Sequence, residues 1–239
     1  MSQEVEVSVR KLSRKKKIRR IVRLTVLIIL LLLILAYIVM RIIYNNGNFS
    51  ITLDKNLYFE RGIIIYDDPD YKVFRSELFA ESIDYFDNIK GSWLPDNLDS
   101  IDGSHNGDNY IAYTFYIENT GTDISDYWSE TIIDDVIKDI DKAVRIRIYK
   151  NGEPVTYAKL GINGKPEPDT VPFTSEKVVS IEHREDFKPG EIDKYTIVVW
   201  LEGSDIDCTD NLLGGEIKLH MEFNSEFKEI DAKKFNKKL

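Results

Sequence analysis

The run "LTVLIILLLLILAYIVM", Leu24 to Met40, contains no charged residue and decides more about this chain than any other stretch. As a helix rising about 1.5 Å per residue, it reaches roughly 25 Å, and Ile42 and Ile43 extend it while Arg41 turns toward head groups. Such a segment is long enough to cross a bilayer. A cleaved signal peptide has a shorter apolar core and a pair of small residues at its exit, whereas this run leaves through "AYIVMRIIYNNGNFS". The sequence therefore predicts an uncleaved signal anchor over residues 24–43.

Charge supplies the orientation. Residues 1–43 carry ten Lys and Arg against Glu4 and Glu6, a balance of +8, which leaves −17 for the remainder of a chain whose net charge is −9. Nine of the ten precede the apolar run, so the positive-inside rule puts residues 1–23 in the cytoplasm and everything after about Tyr44 outside, at a cell membrane. "RKLSRKKKIRR" also has a nucleic-acid reading, but a basic tract abutting an apolar helix is an orientation signal that touches anionic lipid. We therefore expect a single span, no nucleic acid, and an acidic domain repelled by like-charged surfaces.

The exterior part, residues 44–224, reads mostly as strands. "NYIAYTFYIENTG" alternates with aromatics on both faces and ends in a turn signal. "AVRIRIYKNGEPVTYAKL" sets Val144, Ile146 and Ile148 against Arg145, Arg147 and Tyr149. Its Asn151-Gly152 pair tolerates the positive φ values of a type I′ hairpin turn. "KVVSIEH", "DKYTIVVWLEG" after the "KPGE" turn, and "GEIKLHMEF" complete at least five strands; in the last, Ile217, Leu219, Met221 and Phe223 share a face. Helical spacing appears twice. "SETIIDDVIKDIDKAV" places Ile133, Val136, Ile137, Ile140 and Val144 at intervals of three and four behind a Ser129 cap, and "RSELFAESIDYFDNI" does likewise with Leu78, Phe79, Tyr85 and Phe86. The expectation is a mainly β, antiparallel, jelly-roll-like sandwich with one or two short helices, preceded by the transmembrane helix and followed by a polar, lysine-rich tail over residues 225–239.

Chemistry is sparsely signalled. His105, His183 and His220 do not form an H-E-x-x-H pair, and no G-x-S-x-G elbow, P-loop or dinucleotide glycine pattern is present. Carboxylates are abundant but no pair is singled out for glycoside hydrolysis. Cys208 is the one cysteine, so no disulfide can form within these 239 residues, and Asp205, Asp207 and Asp210 around it raise rather than lower a thiol pKa. Those aspartates define the one specific site hypothesis. Counting Asp205 as position 1 of an EF-hand puts Asp207, Thr209, Asn211 and Glu216 at oxygen-bearing positions, but Asp210 occupies the glycine position and the flanks are strands. What survives is a loose calcium site at Asp205, Asp207 and Asp210, with "DNLDSIDGSHNGDN" as a second acidic loop of the same kind. No other cofactor is implied.

The order of an N-terminal apolar helix, then "YTFYIENTGT", "VRIRIYKNG", "FKPGEIDKYTIVVWLEG" and "LLGGEIKLHMEF", resembles the extracytoplasmic proteins of Gram-positive bacteria of the TasA and camelysin type. A closer resemblance, over most of residues 50–224, is to uncharacterised membrane-anchored bacterial surface proteins sharing "WLPDNLDSIDGSHNG" and "DYWSE…IDDVIKDIDKAVR". The remote resemblance implies a jelly-roll-like sandwich at the cell surface and, in some members, assembly into matrix fibres. Camelysin's protease activity has no matching metal-ligand motif here. The expected function is a structural or adhesive surface module without catalytic machinery, contacting an extracellular protein or cell-wall polymer or a second copy through sheet edges and aromatic residues such as Tyr127, Trp128 and Trp93. The alternatives are a calcium- or ligand-sensing ectodomain and a cell-wall-directed hydrolase.

Overall fold

The computed structural model describes residues 18–38, 49–83, 85 and 87–227. In chain order the elements are α1 (Ile18–Ile38), β1 (Phe49–Leu53), α2 (Lys55–Arg61), β2 (Ile63–Tyr66), β3 (Glu77–Phe79), β4 (Gly103–Ser104), β5 (Tyr110–Asn119), β6 (Ser125–Ile137), β7 (Val144–Lys150), β8 (Glu153–Ala158), β9 (Val171–Pro172), β10 (Val178–Phe187), β11 (Ile192–Leu201) and β12 (Glu216–Asn224). The chain divides into two compact units, Met1–Asn45 and Asn46–Leu239.

In the first unit, α1 is 21 residues long and apolar enough to cross a membrane. It begins ahead of the run read from sequence, taking in Arg19, Arg20 and Arg23. The Thr25 hydroxyl donates back to the carbonyls of Ile21 (3.0 Å) and Val22 (2.9 Å), so it demands no partner from lipid. Residues 39–43 of the expected span, the basic tract before Ile18 and the tail beyond Phe227 lie outside the described residues.

The second unit is a β-sandwich. One sheet runs β10-β6-β12-β1-β3 and the other β2-β5-β11-β7-β8-β9, with β4 paired to β5. Pairing is antiparallel except for β1 with β12 and β8 with β9. Alternation does the rest: Ile217, Leu219, Met221 and Phe223 of β12 face Tyr113, Phe115 and Ile117 of β5 and Tyr195, Ile197 and Val199 of β11 in one buried core. Rings of Phe115, Tyr195, Tyr127 and Phe223 meet at 5.4 to 5.8 Å between centroids. The Asn151-Gly152 hairpin forms as expected, with φ of 53° and 88°. Where β6 reaches the core edge, Tyr127 donates to Asp193 Oδ2 (2.6 Å) and lies 3.0 Å from the Tyr195 hydroxyl, while Asn151 and Arg184 also donate to Asp193.

Two elements differ from the sequence expectation. "SETIIDDVI" belongs to β6, not a helix. The register jumps between Lys218–Asp135 and Leu219–Ile133, so Asp134 is an extra, bulged residue, and Ile133 and Val136 reach the same face three positions apart. A strand with a bulge thus imitates helical spacing. "ELF" is the short edge strand β3, with Leu78 pointing inward beside β1; Asp84 and Phe86 lie outside the described residues. The short helix sits elsewhere, at α2, where Asp54 Oδ1 accepts from Asn56 N (2.7 Å) and Gly62 closes the C-terminus at φ 70°.

A strap crosses the outer face of the seven-stranded sheet. Ile89, Leu94 and Leu98, carried on or beside two single-turn 3₁₀ segments, pack against Ala112, Tyr149, Val198 and Trp200 in a second, smaller core. This is why β5 and β11 are apolar on both faces.

Candidate functional site

Between this strap and the loop preceding β9 lies an open cleft of about 370 Å³. Its floor is made by β7 and β11. Arg145 stands opposite Trp200 and Arg147 opposite Val198, so all three long side chains, on alternate positions, rise from the outer face of the sheet. Trp200 is only 2% exposed: Gly91 of the strap lies against its ring, where a Cβ would come within 3.0 Å, and the Arg147 guanidinium sits 5.1 Å from its centroid.

The strap is fastened by Glu202. Its Oε2 accepts from Gly91 N (2.8 Å) and Trp200 Nε1 (3.0 Å), and its Oε1 from Ser204 N (3.1 Å) and Ser204 Oγ (2.5 Å). Burial would push this carboxyl's pKa up, but the donors from Ser204, Trp200 and Gly91 outweigh it and hold it below the ordinary value. Glu202 is thus a clamp, with an acidity opposite to that required of a general acid. The large upward displacements belong to tyrosines. Tyr157 is pushed up to about 12, chiefly by burial, and Tyr127 goes higher, where burial, Tyr195 and Asp193 act together.

The aspartates picked out from sequence do not converge. Asp205 is buried and committed: its Oδ2 takes Arg145 Nη2 at 2.5 Å and its Oδ1 takes the Asp207 amide at 2.8 Å. Glu167 approaches the same Arg145 nitrogen at 3.4 Å, so the guanidinium bridges two carboxylates in place of a cation. Asp207 lines a different cleft, and Asp210, itself exposed, opens the 3₁₀ turn Asp210–Leu212. Among the described residues no group of three or more His, Cys, Asp or Glu side chains is placed to hold a metal ion. The second acidic loop is tied mainly to β5: Asp102 accepts from the Tyr116 hydroxyl and Asn106 from Ala112 N, while Asn109 accepts from Asp87 N just before the strap.

Cys208 is half-buried and unpaired. Burial pushes its thiol pKa up, with Asp205, Asp87 and Glu202 adding to the effect; Asp207 and Asp210 are not the neighbours that matter. The histidines are dispersed. His183 stacks on Trp128 at 4.1 Å, His220 Nδ1 lies 2.8 Å from Asp134, and His105 Nδ1 lies 2.9 Å from the Gly103 carbonyl. Of the aromatic residues offered as contacts, each of which also has a core reading, Tyr127 is core, Trp128 is half-buried and Trp93 is exposed at 68% on the strap.

The second cleft, about 400 Å³, is lined by Lys142, Lys159, Leu160, Ile162, Phe173 and Asp207 among others. Its cations are consumed: Lys159 binds Asp141 and Glu176 at 2.7 Å each, and Lys142 binds Asp139 at 2.9 Å. Arg147 is different. Its Nε donates to Thr156 Oγ1 (2.9 Å), and among the described residues no acceptor meets its two terminal nitrogens. The alternation in the sequence places Arg145 and Arg147 on the face of the strand opposite Val144, Ile146 and Ile148. Their partners, Asp205 and Trp200, lie far along the chain and follow only from the β7–β11 register.

No family model matches this chain, and no curated protein matches it. Among solved structures it is similar to a β-glucosidase from Kluyveromyces marxianus, in complex with glucose (12% identity, TM-score 0.23) and in selenomethionine-labelled form (12% identity, TM-score 0.25). These alignments cover 72% of this chain and 16% and 18% of the enzyme, so the chain spans less than a fifth of that protein's length. A likeness this slight carries no argument about activity.

Proposed function

We propose that this protein is a single-pass membrane protein that presents an acidic β-sandwich on the outer face of a cell membrane as a structural or adhesive module, with residues 1–23 in the cytoplasm. The observation that carries this reading is the pairing of α1, apolar along 21 residues, with a strongly basic segment before it and a domain of opposite charge after it. The site chemistry supports binding over turnover. Asp205 and Glu167 neutralise Arg145, Glu202 is saturated by donors, and Cys208 is held as a thiol.

Cysteine accessibility in intact bacterial cells tests the topology. In a Cys208→Ser background, Thr122→Cys in the exposed β5–β6 turn should react with a membrane-impermeant maleimide without lysis, and Ser13→Cys only after lysis. The reverse pattern, or recovery of the sandwich as a released fragment in the medium, would overturn the assignment.

A further inference from the structure

We propose that the cleft over Trp200 is a binding site for a carboxylate, with Arg147 as its principal donor and Lys90 as its second cation. The first ground is charge. In a chain with 41 acidic and 32 basic residues, the less exposed cations of the β7–β11 region have found acidic partners: Arg145, Lys150 and Lys159 on or beside β7 and β8, and Lys194 on β11, are ion-paired. Arg147 and Lys90 have no such partner among the described residues, although Glu167, Asp169 and Glu202 line the same cleft. Glu167 and Asp205 are spent on Arg145 and Glu202 on the strap, while Asp169 is exposed at the rim and pairs with neither Arg147 nor Lys90.

The second ground is preorganisation. Thr156 fixes the Arg147 Nε and the Trp200 ring covers one side of the guanidinium, which leaves its terminal edge as the open donor pair. A guanidinium held at its Nε end and lying over an indole loses little freedom on binding, and its fork matches a planar carboxylate through two parallel hydrogen bonds. Ser92 and Thr170 add hydroxyls at the walls, and about 370 Å³ suits a single sugar ring or a dipeptide end. The remaining acids in the walls select the valence: a phosphate dianion meets more repulsion from Glu167, Asp169 and Glu202 than a carboxylate monoanion does.

A carboxylate of this kind is carried by an acidic sugar or by a peptide C-terminus, and the probes separate the two. Binding is independent of which side of a membrane the domain faces, so it can fail without touching the topology reading, and the reverse. The full chain in a non-sugar detergent is titrated by ligand-observed NMR with glucuronate and glucose, with N-acetyl-alanyl-alanine and its C-terminal amide, and with inorganic phosphate. Saturation by glucuronate alone, by the peptide acid alone, or by both supports the proposal and assigns the source. Arg147→Gln should weaken the bound probe about tenfold, the equivalent of one charge-assisted hydrogen bond. Lys90→Gln, at an exposed position where folding is not at risk, should weaken it about two- to fivefold, as an exposed ion pair does. Equal binding of the neutral partners, tighter binding of phosphate, no response to either carboxylate at millimolar concentration, or unchanged affinity in both variants would overturn it.

Discussion

Replacing Arg145 by Met measures what the Asp205 loop is built on. The side chains of Arg145 and Asp205 are 5% and 0% exposed, and Glu167 stands 3.4 Å from the same nitrogen. Removing the guanidinium leaves one fully buried and one largely buried carboxylate facing each other without a counter-charge. Breaking a buried pair from one side costs about 3–5 kcal/mol, and the second carboxylate places this variant toward the upper end. For a domain of this size each kcal/mol is worth about 2–4 °C, so the melting temperature should fall by about 6–20 °C. Asp205→Asn is milder, about 1–3 kcal/mol, because Glu167 still faces the cation and the amide oxygen can still accept from Asp207 N. The double variant Arg145→Met/Asp205→Asn should be more stable than the sum of the singles by about 0.5–3 kcal/mol. Thermal unfolding followed by near-ultraviolet circular dichroism at pH 7 supplies all four corners of the cycle. An Arg145→Met loss below about 1 kcal/mol, or strict additivity, would refute the account. So would a calcium-dependent rise in melting temperature that disappears in Asp205→Asn, since it would show that carboxylate available to a metal ion.

Two further perturbations test the strap and the α2 corner. Glu202 has a depressed pKa, so its contribution is complete above about pH 4.3, the ordinary glutamate value, and is lost as the pH falls through its lower folded value. The urea midpoint of the wild type should therefore drop more steeply between about pH 5 and 3 than that of Glu202→Gln, and parallel curves would contradict the clamp. Gly62 and Gly164 share a φ of 70°, but a Cβ on Gly62 would lie 2.7 Å from Gly121 Cα while one on Gly164 meets nothing within 4 Å. Gly62→Ala should cost about 1–3 kcal/mol and clearly more than Gly164→Ala, by the same unfolding assay; equal losses would mean that backbone strain alone is at work.

The strands legible in the sequence are those whose alternation runs unbroken into a turn signal: β5, the β7–β8 hairpin, β10, β11 and β12. Illegibility has local causes. In β6 the bulge at Asp134 and the positive φ values of Lys138 and Asp139 displace the apolar residues from period two to intervals of three and four. In β3 the decisive contact is pairing with β1, on the far side of α2 and β2 in the chain. α2 did carry its signal, with Asp54 before it and Gly62 after it, but the segment is too short for periodicity to mark it. The site was legible only in its parts. Outward arginines on β7 are visible as alternation, and the acidity of the Asp205 loop is visible as composition. That the loop acid answers Arg145, leaving Arg147 over Trp200, depends on antiparallel pairing between segments remote in sequence, which no local pattern encodes.

The position of β12 between β6 and β1 has a consequence for how this molecule is made. Synthesis delivers β1 first and β12 last among the described strands, with every other strand of the sandwich between them, and the two then lie side by side in parallel. Until Glu216–Asn224 has emerged, the five-stranded sheet is in two pieces, β10-β6 and β1-β3, each with an open row of backbone donors and acceptors along the missing strand. Local hairpins such as β7–β8 can close within microseconds, but this gap waits for β12 to be synthesised and then for a long loop to close. The interval is when the unpaired edges of β1 and β6 are open to strands of other chains. A chain that stalls before Glu216 therefore leaves two adhesive half-sheets, and β12 acts as the wedge that ends their exposure.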